Sequence, residues 1–187
     1  VTQFNSIGGP FIIMLSVVFS TIGVFLGFSL TGTTFSIMMT GIGIISLAGI
    51  VVNNAIVLID YTNLLRERKR GEQGLDSNDR LTLPEIVDTI VESGQTRLRP
   101  VLLTAITTVL GLFPLAVGFN VNFARLLREG NAELYWGGQN ASFWGPMAWA
   151  VIYGLIFATF LTLVIVPVMY FLSDKLGIWI KSKFQNN

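Results

Sequence analysis

The most constraining feature of this sequence is a gap: from Val1 to Ile59 there is no Asp, Glu, Lys or Arg. A charged side chain at the centre of a bilayer costs about 2.5 kcal/mol or more, so a charge-free stretch this long is what a membrane selects. Two further stretches, Pro100–Ala124 and Leu134–Ser173, are also free of charge. Only 12% of the 187 residues are charged, about half the share in a typical soluble domain, and mean hydropathy is +0.66. The sequence reads as an integral membrane protein.

Composition also excludes chemistry. The chain has no Cys and no His. Disulfides, thiolate metal sites, and Ser-His or Cys-His catalysis are therefore ruled out for these residues. A net charge of +1 offers no basic surface for nucleic acid. No cofactor is expected. The sequence opens at Val1 with neither a basic n-region nor a cleavage site, so it reads as a piece of a longer polypeptide without a signal peptide.

A membrane-spanning helix needs about 20 apolar residues. The first stretch is too long for one span, and it breaks at Ser29-Leu30-Thr31-Gly32-Thr33-Thr34. This predicts a hairpin within residues 10–62, with span A from Pro10 to about Gly27 and span B from about Phe35 to Ile59. Pro10 suits a first helical turn, where its missing N–H is not needed. Residues 1–9 are expected to end a preceding helix and turn. Spans C (Pro100 to about Phe119) and D (about Trp144 to Leu172) fall within 100–173, joined by a loop over 120–143. The expected class is all-α, a polytopic bundle of four transmembrane helices.

Charge sets the orientation. The loop 63–99 with its flanking Asp60 holds Arg66, Arg68, Lys69, Arg70, Arg80, Arg97 and Arg99, and the tail 174–187 adds Lys175, Lys181 and Lys183. The C–D loop has only Arg125 and Arg128, and the A–B turn has none. The positive-inside rule then puts the 63–99 loop and both termini in the cytoplasm. Tyr135, Trp144 and Trp149 lie near the opposite face, where amphipathic aromatics anchor helices at headgroup level. Within the basic loop, Thr82-Leu83-Pro84-Glu85 fits a capping box, and Ile86, Val87, Ile90 and Val91 follow on one face, with Gly94 as a C-cap. This short helix either lies on the inner membrane surface and joins B to C, or docks a partner.

The spans carry uncharged polar residues at related depths. Asn53 and Asn54 precede Asp60 by six or seven residues, about 10 Å at 1.5 Å per residue. Thr104, Thr107 and Thr108 follow Arg99 at similar depth on the next span. Two readings stay open: interhelical hydrogen bonds worth about 0.6 kcal/mol each, or a polar relay inside a larger bundle. Gly23 and Gly27, the small residues Gly41, Gly43, Ser46 and Gly49, and Gly154 with Ala158 provide for close packing.

Gly49-Ile-Val-Val-Asn53-Asn54-Ala-Ile-Val-Leu-Ile-Asp60, Glu92-Ser-Gly-Gln-Thr-Arg97-Leu-Arg99-Pro100-Val-Leu-Leu-Thr104 and Gly111-Leu-Phe-Pro114 resemble resistance-nodulation-division (RND) efflux permeases of the AcrB type. Phe143-Trp-Gly-Pro146 and Thr162-Leu-Val-Ile-Val-Pro167 look like the family's last helix. The resemblance covers nearly the whole chain and implies a fragment, helices 9–12, of a twelve-helix bacterial inner-membrane permease. It implies proton-driven export of drugs or other small amphiphiles. Its implied partners are the N-terminal half, two further copies in a homotrimer, a periplasmic adaptor, an outer-membrane channel and the lipid bilayer. The proton-binding aspartates would lie in that N-terminal half. Many members place a lysine opposite those aspartates; Asn53 stands there in this chain, and it can hydrogen-bond a carboxylate but not neutralise it. The relay candidates are Asn53, Asn54, Arg99, Thr104 and Thr108. The alternative is a four-helix structural or assembly subunit that transports nothing itself.

The orientation is testable by cysteine labelling, because these residues include no native Cys. A cysteine at Ser77 is expected to react only after the inner membrane is permeabilised, and one at Asn131 in intact spheroplasts. The reverse pattern inverts the topology.

Overall fold

In hydrocarbon every backbone N–H and C=O must be satisfied within its own segment, and the three charge-free stretches meet that demand as helices. A computed structural model describes residues 8–74, 82–121, 127, 128, 130 and 134–185. The described elements are α1 (Gly8–Thr31), α2 (Ile37–Glu72), α3 (Leu83–Val117), the strands β1 (Phe119–Val121) and β2 (Leu134–Trp136), and α4 (Gln139–Gln185). All four helices are long and apolar enough to cross a membrane. The class is all-α, with a two-stranded ribbon added. Of residues 1–9, expected to end an earlier helix and turn, Gly8 and Gly9 instead open α1 and 1–7 lie outside the described residues, as do 75–81 of the basic loop and most of 122–133.

The break between the first two spans lies where its residues demand. Gly32 takes φ 62° and its N–H reaches back to Phe28 O at 3.0 Å, a left-handed helix stop that a Cβ would strain. Ser36 then precedes α2 at the N-cap, and its carbonyl accepts from the Thr40 N–H at 2.8 Å. The helices outrun the spans read from hydropathy. At 36 residues α2 is about 54 Å long, against about 30 Å of hydrocarbon. Charge ends a membrane segment but not a helix: Leu64 to Arg70 are all good helix formers.

The short loop helix expected to stop at Gly94 does not stop. α3 runs unbroken from Leu83 through Gly94, Pro100 and Pro114 to Val117, and Gly94 is not among the glycines with positive φ. Its start is held as the sequence predicts, with one difference. The Thr82 N–H donates to Glu85 Oε2 at 2.8 Å, and the Thr82 hydroxyl donates to the same oxygen at 2.7 Å rather than accepting a backbone N–H. Gln73 Nε2 also donates to Glu85, at 2.6 Å to Oε1. The Thr82 hydroxyl, Gln73, the Thr82 N–H and the nearby Lys69 charge together hold the Glu85 carboxyl below its ordinary value.

The described chain divides into two compact units. One is made of the described residues within 1–18, 51–102 and 159–187; the other is made of those within 19–50 and 103–158. The first has a core of Ile12, Ile13, Ala55, Leu58, Ile59 and Val166, with Ile86 and Ile90 of α3 against Tyr170 and Phe171 of α4. In the second, small residues set the helix spacing. A Cβ on Gly23 would run into Phe157 Cβ, and one on Gly43 would lie 2.9 Å from both Ala150 Cβ and Met147 O. Gly154 sits against the fully buried Leu47 and Val24. Tyr153 packs over Gly27, stacks on Trp149, meets Phe28 edge to face, and donates its hydroxyl to Thr31 Oγ1 at 3.0 Å.

Two outcomes follow for the full-length protein that contains this chain. Gly23→Ala is expected to lower stability by about 1–3 kcal/mol in detergent unfolding, because Phe157 Cβ moves only with its helix. Gly71→Ala, where a Cβ meets nothing, is the control. The Glu85 carboxylate supports the start of α3. Because its folded value is depressed, that support is present above the ordinary carboxylate value and is lost as pH falls through the folded one. Hydrogen-exchange protection of residues 83–88 should fall on acidification and be already reduced at neutral pH in Glu85→Gln.

Candidate functional site

The relay candidates divide between the two units: Asn53, Asn54 and Arg99 belong to the first, Thr104 and Thr108 to the second. On α2 the side chains that build the first unit's core recur at helical spacing, Val51, Ala55, Leu58 and Thr62, all buried. Asn53 falls on the other side of the helix and is exposed, while Asn54 on the flank is half-buried. On α3 Thr104 is exposed and Thr108 half-buried, and the Thr108 hydroxyl donates to Thr104 O at 2.7 Å. Thr107 donates to Leu103 O at 2.8 Å. Both hydroxyl protons are thus spent within the helix, which leaves their oxygens as acceptors toward any incoming group.

The two arginines before the span differ. Arg99 is exposed. Arg97 is half-buried, its guanidinium 4.4 Å from the centroid of the Tyr61 ring, and its Nε is buried. Helix geometry separates them further. Seven residues from Arg97 to Thr104 make about two full turns and keep one face, whereas five from Arg99 rotate by about 140°. The sequence reading named Arg99 among the relay candidates; Arg97 is the arginine set against Tyr61.

A second polar cluster ties the basic ends of α2, α3 and α4 together in the first unit. The buried Thr62 and Ser93 hydroxyls meet at 2.8 Å, and Thr62 also donates to Leu58 O at 2.8 Å. The Tyr170 hydroxyl donates to Asn63 Oδ1, and the Arg66 guanidinium lies 4.5 Å from the Tyr170 ring centroid. The neighbouring pocket, lined by Leu58, Ile59, Thr62, Ile90, Val166, Pro167 and Tyr170, has about 10 Å³ of free space, room for roughly one water. It is too small for an organic substrate. No sequence pattern announces this cluster, since its members come from residues 62 to 170 and meet only when three helices pack.

Residues 1–174 match the model of the AcrB/AcrD/AcrF family. The chain belongs to that family of RND permeases. It is also 38% identical over 170 residues to the swarming motility protein SwrC of Bacillus subtilis (strain 168), an alignment that covers 91% of this chain and 13% of that protein. The chain therefore spans about an eighth of this relative. The family match and the four helices of membrane-spanning length make it a membrane-embedded part of a member of that family.

Proposed function

We propose that this chain is the C-terminal transmembrane part of a proton-driven RND exporter of drugs or other small amphiphilic compounds, resident in a bacterial inner membrane. The observation that carries the reading is the exposed Asn53 carboxamide in an apolar stretch of α2. An unpaired amide costs several kcal/mol in hydrocarbon (about 4–8 on the alkane scale), so lipid is a poor neighbour for that face. A helix from the remaining polypeptide, bearing the titrating carboxylates, is a good one. The described spans contain no carboxylate of their own between Ile37 and Ile59 or between Pro100 and Val117, so the proton-binding acid has to come from outside this chain.

In this scheme Asn53 donates its N–H to a carboxylate when that group is ionised and accepts from it when it is protonated, a response that needs no charge on Asn53. Thr104 serves as a second hydrogen-bonding group, with Asn54 and Thr108 on the flanks. Arg97, on the Thr104 face of α3 and braced on Tyr61, biases the carboxylates toward ionisation and so toward proton release at the basic end. Arg99 lies at the boundary beside it. The homotrimer, the adaptor and the outer-membrane channel belong to the same proposal, as partners that the sequence resemblance implies.

The test is export in cells or proteoliposomes, normalised to folded protein. Asn53→Ala and Thr104→Ala are each expected to give normal membrane abundance and strongly reduced proton-driven export. An uncoupler should abolish the wild-type activity. Packing alone predicts a loss of about 0.6 kcal/mol in stability with export per molecule unchanged. Wild-type export in both variants reduces these residues to interhelical hydrogen bonds, and export that persists under the uncoupler ends the proton-antiport reading.

A further inference from the structure

The β1–β2 ribbon has a sidedness that so short an element cannot sustain by itself. Its strands pair antiparallel with Phe119 opposite Trp136, Asn120 opposite Tyr135, and Val121 opposite Leu134. Directly opposed side chains share a face and successive ones alternate. One face is therefore Phe119, Val121, Leu134 and Trp136, wholly apolar, and the other is Asn120 and Tyr135. On the apolar face the Phe119 and Trp136 rings meet edge to face at 5.3 Å, yet Trp136 remains 71% exposed and Leu134 58%. An isolated two-stranded ribbon is marginal in water, and this one presents its apolar side uncovered.

The ribbon is also held in a defined place between two helix ends. Only Gly118 separates it from the end of α3, and only Gly137 and Gly138 separate it from the start of α4. All three glycines have positive φ, at 74°, 89° and 102°, which lets the chain turn sharply out of one helix and into the next. The Gly137 N–H donates to Gly118 O at 2.8 Å, and the Asn120 amide donates to the carbonyls of both Gly118 and Gly137. Asn120 therefore clamps the two connections together from the polar side. The ribbon is fixed where two spans leave the hydrocarbon, at the end of α3 opposite its capped start.

We propose that the ribbon lies flat on the bilayer leaflet opposite the basic α2–α3 connection. Its Phe119–Val121–Leu134–Trp136 face rests on the boundary between headgroups and acyl chains, and Asn120 and Tyr135 face water. The occupant of the apolar face is lipid because that face continues the exposed apolar surface of the spans. Leu110 and Phe113 lead to it along α3, and Phe143 and Trp144 leave it along α4, all exposed. An indole, with an apolar body and one N–H donor, suits this layer. The ribbon thereby sets how deep the α3–α4 pair sits.

The test uses the full-length permease freed of native cysteines elsewhere and reconstituted in phosphatidylethanolamine–phosphatidylglycerol vesicles. One spin label at a time is introduced through Leu134→Cys, Tyr135→Cys or Trp136→Cys. Its collisions are measured with oxygen, which partitions into lipid, and with a water-soluble nickel chelate. Oxygen should dominate at 134 and 136 and the chelate at 135. Dominance of the chelate at 134 and 136 places the face in water and overturns the proposal. Shielding from both reagents there places protein on it and overturns the proposal equally. Leu134→Cys keeps the Phe119–Trp136 pair intact, so its result stands even if Trp136→Cys disturbs the ribbon.

Discussion

The need to satisfy every backbone polar group without water underlies the rest of this structure. It makes helices of the charge-free stretches and tolerates Pro100, Pro114, Pro146 and Pro167 inside long helices. It also removes the usual reason for helices to associate, since lipid is as apolar as leucine. What remains is close contact and hydrogen bonding, and both are visible. Gly23 and Gly154 bring backbones to within a side chain's thickness of their neighbours, and Thr62–Ser93 and Tyr153–Thr31 are hydroxyl bridges between helices distant in sequence.

The same constraint separates polar groups satisfied within their own helix from those presented on its surface. Ser16, Thr62 and Thr89 are buried and satisfy themselves on carbonyls one turn back. Asn53 instead presents its carboxamide on an exposed face of α2. A group like that is tolerable in a membrane only where something polar comes to meet it. This is why an uncharged residue, Asn53, carries the proposed reading.

The basic ends of the helices follow a different rule, because water is available there. Arginines stack on aromatic rings, Arg66 on Tyr170 and Arg97 on Tyr61, which covers their planar faces and leaves their edges to hydrogen-bond. The Thr82–Glu85 cap and the Ile86 and Ile90 contacts make the first turns of α3 part of the packed unit. The spanning helix is consequently continuous with a segment outside the apolar stretch, and any displacement of one is carried by the other.

Much of this was legible from residue order alone. The absence of charge located the spans, the Ser29–Thr34 break placed the turn between the first two, and Thr82 with Glu85 placed the helix start that became the start of α3. Those features act locally, through desolvation and through backbone groups within four residues, so sequence determines them. Joint spacing of Asn53, Arg97, Thr104 and Pro114 also marked the family. Tertiary structure decided what depends on neighbours remote in sequence. Gly94 reads locally as a stop, yet α3 continues because Ser93 and Ile90 are held by Thr62 and Tyr170. Arg97 and Arg99 look equivalent on paper and differ because only one finds Tyr61. The aromatic loop after α3 became a two-sided ribbon because Phe119 pairs with Trp136 across a dozen and more intervening residues, a register that no local pattern contains.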